Sequence, residues 1–179
     1  MYYFLIVVVA FCIIDYFRYV NKRKNVEDSF LIIPTQYGEV EYIDLGPKDA
    51  PVILFATGGG TGIDSVYALD WLLNTGYRVL SINRPGYYNL ALDAISEISQ
   101  QADIYHAVVQ KLGVASVHVF GVSMGGVSAL HYAQKYPTES LVLWSAVTNT
   151  YHPNPESMES PLGKLFLSPS GKKLVSWMT

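Results

Sequence analysis

The chain has 179 residues, half of them hydrophobic, and a formal net charge of −3. That is enough for one domain with a self-sufficient core and too apolar for a disordered chain. The acidic balance excludes a typical nucleic-acid binder, and a single cysteine, Cys12, leaves no internal disulfide and no cysteine-built zinc site.

Tyr2–Ile14 is uninterrupted apolar sequence, and only Asp15 and Arg18 break it before the basic group Lys22-Arg23-Lys24. Extended to Val20, the segment reaches the ~20 residues of a spanning helix. Tyr2, Tyr3, Tyr16 and Tyr19 suit the two membrane interfaces, and Arg18 near an end can snorkel. No positive residue precedes the run and no A-x-A-like site follows it, which argues against a cleaved signal peptide. A buried N-terminal helix is the competing reading. Residues 1–24 are expected to be a single-pass transmembrane anchor with its basic flank, which puts the following domain on the cytoplasmic side. Residues 25–29 read as a linker.

Phe30–Pro34 and Gly38–Leu45 read as strands, the second alternating Val40, Tyr42 and Asp44 against Glu41, Ile43 and Leu45. Val52–Ala56 (VILFA) is wholly apolar, as expected of a parallel strand buried on both faces. Asp64 can cap a helix that runs to about Asn74 and ends at Gly76. Arg78–Asn83 is the next strand, followed by the turn Arg84-Pro85-Gly86-Tyr87, whose Arg84 and Tyr87 either shape the mouth of a site or belong to a plain turn. Asp93–Leu112 has the spacing of a long amphipathic helix, with Ile95, Ile98, Ala102, Tyr105, Val109 and Leu112 on one face. An apolar run then ends at Gly121, a helix spans Met124–Tyr136 before Pro137, and Leu141–Ala146 is a strand apolar on both faces. From Thr148 the pattern dissolves into Pro/Ser/Asn-rich sequence, with a last helix at Ser170–Met178.

Strands and helices alternating in this way predict an α/β core over residues 30–147, a mostly parallel sheet with helices on both faces. Ligands of such sheets sit at the carboxyl ends of the strands. Three glycine-bearing loops, after Ala56, after Asn83 and at Ser123, fall at that end.

Gly121-Val122-Ser123-Met124-Gly125 spells G-x-S-x-G between a strand and a helix, the layout of a nucleophile elbow. The turn holds its serine in a cramped conformation, so the flanking positions must be small. Thr57-Gly58-Gly59-Gly60-Thr61-Gly62 also joins a strand to a helix. A Walker loop would end in Gly-Lys-Ser/Thr, which is missing. A dinucleotide fingerprint needs a third glycine where Ile63 or Ser65 stands, and an acid where the next strand ends in Asn83. No nucleotide cofactor is therefore expected. An oxyanion hole fits, because small residues let a backbone N–H approach a tetrahedral intermediate; a loop without a role is the competing reading.

From Phe30 onward these features resemble the α/β-hydrolase fold superfamily. The resemblance rests on the elbow, on the glycine loop after VILFA, and on Asn83-Arg84-Pro85-Gly86-Tyr87, which is similar to the family's frequent Asp-Arg-Pro-Gly-Tyr turn. It implies Ser123 as nucleophile and the backbone N–H groups of Met124 and Gly59 as oxyanion donors. Thr57 departs from the pattern, since the family often has histidine there.

The family's triad continues from serine to an acid and then a histidine. After Ser123 the only acids are Glu139, Glu156 and Glu159, and the only histidines are His131 and His152. His131 lies eight residues along the helix, on the order of 12 Å from the elbow at 1.5 Å per residue. His152 comes earlier than the family's histidine, while His106 and His118 read as structural. The resemblance implies that the chain lacks the last two strands of the fold, so the acid and base they carry are expected beyond Thr179, in a C-terminal polypeptide that completes the fold; residues 148–179 then begin a lid or cap.

The expectation is a serine hydrolase of this superfamily, cleaving an ester, thioester or amide of a small, lipid-like substrate through an acyl-enzyme on Ser123. The 179-residue chain is expected to be inactive by itself. A membrane-tethered, catalytically inactive binding module and a non-hydrolytic acyl transferase remain as alternatives.

Overall fold

The computed structural model describes residues 2–90 and 97–148, together with 161 and 164. The chain divides into two units, Leu31–His152 and Met1–Phe30 with Pro153–Thr179.

In the larger unit the strands are β1 (Leu31–Thr35), β2 (Gly38–Leu45), β3 (Val52–Ala56), β4 (Arg78–Ile82), β5 (Val117–Val122) and β6 (Thr138–Trp144). They form a six-stranded sheet in the order β1-β2-β4-β3-β5-β6. β1 and β2 are antiparallel because they meet across a tight turn, where the Thr35 hydroxyl donates to the Gly38 carbonyl and accepts from the Tyr37 N–H. β2 also runs antiparallel to β4, whereas β4, β3, β5 and β6 are mutually parallel neighbours. The mostly parallel sheet expected from the sequence is therefore present, with an antiparallel hairpin at one side.

One face of the sheet is covered by α3 (Gln101–Lys111) and α4 (Gly125–Lys135), whose Ala102, Tyr105, Val108, Ala129 and Tyr132 share a core with Leu54, Leu80 and Val119. A buried network ties the two helices together. Ser128 donates to Gln101 Oε1 at 2.6 Å, and Gln101 Nε2 donates to the Tyr105 hydroxyl at 3.0 Å. Segment 63–73 packs on β2 and β4 and supplies buried Ile63, Val66, Leu69 and Leu72, none of them part of that core.

Three details differ from the sequence reading. Segment 63–73 is a 3-10 helix over Ile63–Leu69 with only four α-helical residues, α2 (Asp70–Leu73). The reason is that Asp64 takes a hydrogen bond from the Tyr88 hydroxyl, at 2.7 Å, and does not start a regular helix. The amphipathic helix starts at Gln101, not Asp93. Glu97 and Gln100 form a capping box around a 3-10 turn, and Ile98 is half-exposed; residues 91–96 of that prediction lie outside the described residues. β2 occupies the expected Gly38–Leu45, and at its centre Val40, Glu41, Tyr42 and Ile43 are all buried. Finally, β6 pairs only with β5 among the described residues, leaving Val142 and Trp144 more than half exposed, at 53 % and 54 %. Leu141 still packs against the core, so the exposed apolar surface of this strand, expected to lie in the sheet's interior, is that of Val142 and Trp144.

In the smaller unit α1 spans Tyr2–Glu27, so helix runs through most of the expected linker. Among the described residues no helix is long and apolar enough to cross a membrane. The side chains of 1–8, the apolar start of the run, lie outside the description, as do His152 and the expected helix at Ser170–Met178.

Candidate active site

β5 delivers the chain to Ser123, whose φ is +50°. For an L-residue that left-handed conformation costs roughly 1–2 kcal/mol, so it persists only where neighbours hold it. Three backbone hydrogen bonds do so. The Ser123 N–H donates to the Trp144 carbonyl at 3.2 Å, and the Ser123 carbonyl accepts from Gly126 at 3.0 Å and Val147 at 2.8 Å. The end of β6 and the residues after it therefore brace the turn. α4 leaves directly at Gly125, where a Cβ would stand 2.5 Å from the Thr57 carbonyl oxygen and closer still to that of Ala56. Glycine is required there because the helix start is pressed against the end of β3.

The loop after β3 reaches the same place. A Cβ on Gly58 would lie 3.4 Å from Ser123 Cβ, and one on Gly59 would lie 2.8 Å from Met124 Cγ. Ser123, Met124 and Gly59, singled out from the sequence, are thus brought together. The N–H groups of Gly59 and Met124 have no hydrogen-bond partner among the described residues. Two free donors beside a strained serine are an arrangement suited to a developing oxyanion.

The turn after β4 holds this loop. Arg84, only 9 % exposed, donates through Nη2 to the carbonyls of Gly58 at 2.7 Å and Thr61 at 3.0 Å, and through Nη1 to that of Thr57 at 3.3 Å. Its guanidinium lies 4.3 Å from the centre of the Tyr87 ring, and the Tyr87 hydroxyl accepts from the Gly60 N–H at 3.1 Å. The turn is itself anchored by buried Glu41, which accepts from the side chains of Asn83 and Asn89 and from the Asn89 N–H. Sequence reading placed Arg84 and Tyr87 at the mouth of the site or in a plain turn, without a partner for either. Their grip on the loop joins positions 23 to 27 apart, and no local pattern signals it.

No histidine or carboxylate among the described residues hydrogen-bonds the Ser123 hydroxyl. His106 stacks on Tyr136 with ring centres 3.7 Å apart. Burial pushes its imidazole below the ordinary pKa, against the opposing pull of Asp103. His118 bonds the Ser140 hydroxyl at 2.9 Å near the start of β5, and Glu139 accepts from Ser116 at the same end. His131 lies on α4, past its first turn. The described residues therefore set a positive-φ serine beside two backbone N–H groups without partners, and place His106, His118, His131 and Glu139 elsewhere. Among them no group of His, Cys, Asp or Glu is arranged to hold a metal ion.

The sequence profile of the alpha/beta hydrolase fold matches residues 51–170. The chain is 29 % identical over 140 residues to the uncharacterized hydrolase YcgS of Bacillus subtilis (strain 168), covering 77 % of this chain and 48 % of that protein. It is 36 % identical over 115 residues to the bifunctional esterase/perhydrolase DCH of Acinetobacter calcoaceticus, covering 61 % of this chain and 41 % of that one. Among solved structures it is similar to an alpha/beta hydrolase fold protein from Nakamurella multipartita, with a TM-score of 0.64 and 29 % identity over 83 % of this chain and 55 % of the other. The chain spans about half the length of the curated relatives it matches.

Proposed function

The chain belongs to the alpha/beta hydrolase fold family, and from that premise we propose that it is a hydrolase acting on an ester, thioester or amide through an acyl-enzyme on Ser123. The observation that carries this reading is the strained Ser123, at φ +50°, beside the unpartnered N–H groups of Gly59 and Met124. In the proposed reaction the Ser123 Oγ attacks the substrate carbonyl carbon and gives its proton to a base. The carbonyl oxygen becomes an oxyanion held by the two N–H groups. Collapse expels the alcohol, thiol or amine, which takes up the proton, and water then cleaves the acyl-enzyme.

The base and its orienting acid come, in this reading, from residues outside the described ones, either in 149–179 or in polypeptide that follows. The exposed apolar β6 is the edge such polypeptide would pair with. The N-terminal segment is part of the same proposal as a membrane anchor, supported by the apolar run Tyr2–Ile14 and its basic flank. It would hold the domain at the cytoplasmic face, near lipid-like substrates, and retention in membranes after carbonate extraction tests it.

A binding module that keeps the fold without turnover is the second reading, favoured by the lack of a base on Ser123 among the described residues. Hydrolysis of p-nitrophenyl acyl esters by the full natural polypeptide separates the two. Turnover abolished by Ser123→Ala supports the hydrolase, and turnover that survives this substitution rejects it.

A further inference from the structure

Gly59 is gripped on both sides by the turn after β4. In a planar trans peptide the C=O of one residue and the N–H of the next point in opposite directions, and no peptide among the described residues is cis. The bond from Arg84 to the Gly58 carbonyl therefore turns the Gly59 N–H away from the guanidinium. The bond from the Gly60 N–H to Tyr87 likewise sets the direction of the Gly59 carbonyl. Arg84 and Tyr87 thus each hold one of the two peptides that flank Gly59, and the Thr61 hydroxyl adds a second bond to the Gly58 carbonyl, at 3.0 Å. Without this grip, rotation of the Gly58–Gly59 peptide would put a carbonyl where a donor is needed.

Charge adds a second effect. Arg84 is buried and has no carboxylate partner among the described residues; its hydrogen bonds go to three loop carbonyls. A cation on one end of a peptide polarises it and strengthens the N–H at the other end as a donor. The same guanidinium thus both aims the Gly59 N–H and makes it a better partner for negative charge.

We propose that Arg84, braced by Tyr87, is a positioning residue of the oxyanion hole, acting on the reaction through the Gly58–Gly59 peptide without touching substrate. This rests on the hydrolase reading above. The test compares Arg84→Met, Arg84→Lys and Tyr87→Phe in the full natural polypeptide, using p-nitrophenyl butyrate turnover. It adds inhibition by a trifluoromethyl ketone, whose serine adduct carries an oxyanion, and hydrogen exchange of residues 57–62. Arg84→Met is expected to lower kcat about 100-fold with KM within about twofold, the size of effect that follows a misplaced oxyanion donor. The ketone should weaken by a similar factor, exchange in 57–62 should quicken, and Arg84→Lys should recover part of the rate. Tyr87→Phe should lower kcat by about three- to tenfold. If Arg84→Met melts like the parent and keeps kcat and the ketone constant within about threefold, the inference is overturned. Should Arg84→Met fail to fold, Tyr87→Phe decides, and unchanged kcat with unchanged exchange overturns it. Parental turnover in Ser123→Ala would instead remove the hydrolase reading and this inference with it.

Discussion

Replacing Ser123 by glycine should stabilise the fold relative to replacing it by alanine, although both remove the proposed nucleophile. Ser123 sits at φ +50°, where a Cβ costs roughly 1–2 kcal/mol and glycine has no such penalty. Glycine loses more backbone freedom on folding, which returns about 0.5–1 kcal/mol of that difference. The serine hydroxyl has no hydrogen bond among the described residues, so its removal is common to both variants and cancels. Ser123→Gly should therefore exceed Ser123→Ala by about 0.5–1 kcal/mol, or about 1–4 °C in Tm for a domain of this size. Urea titration and thermal melts of the two variants side by side measure it. If Ser123→Gly were less stable than Ser123→Ala by more than about 0.5 kcal/mol, Ser123 would not be held in the left-handed region, and the elbow geometry would be wrong.

Other substitutions probe separate parts of the structure. Gly125→Ala drives a Cβ into the carbonyls of Ala56 and Thr57 and should cost about 3 kcal/mol by chemical denaturation. Gly60→Ala meets no atom within 4 Å and should cost only about 1 kcal/mol, from its positive φ. At Asp44, burial works to raise the carboxyl pKa, but hydrogen bonds and charges from Arg78 and Lys48 outweigh it and hold the pKa below the ordinary value. Its contribution is therefore complete above the unfolded pKa, about 3.9, and is lost as pH falls through the lower folded one. Asp44→Asn should destabilise at pH 7 by about 3 kcal/mol, since it strands buried Arg78. It should also flatten the acid limb of the stability profile. Val142→Lys should change the stability of this chain alone by no more than about 0.5 kcal/mol, because the residue is exposed. In a longer polypeptide whose added strand covers β6 it should cost about 2 kcal/mol or more, and equal small effects in both would argue that β6 stays an edge.

What the sequence made legible follows from how local each constraint is. The elbow was readable because a positive-φ serine between a strand and a close-packed helix demands small neighbours, and Gly121, Gly125 and Gly126 announce them. The apolar run VILFA was readable because β3 is buried on both faces. Segment 63–73 was misread because the acid expected to start a helix is used by Tyr88, 24 residues away. β2 was readable to its bounds, but the burial of Glu41 was not, because its partners Asn83 and Asn89 lie 42 and 48 residues away. The Arg84 grip on the glycine loop was out of reach for the same reason, since only the folded sheet brings the two turns together. His106, His118 and His131 could be set aside from position alone, and the structure keeps the first two in contacts of their own.

The proposed chemistry requires Ser123 to be a nucleophile that faces an oxyanion hole. A fluorophosphonate probe on the full natural polypeptide, followed by mass-spectrometric mapping of the adduct, tests it most directly. A single phosphonylated residue is expected, at Ser123, with labelling lost in Ser123→Ala and slowed in Arg84→Met. An unlabelled Ser123, under conditions that label a known serine hydrolase in the same tube, would contradict it.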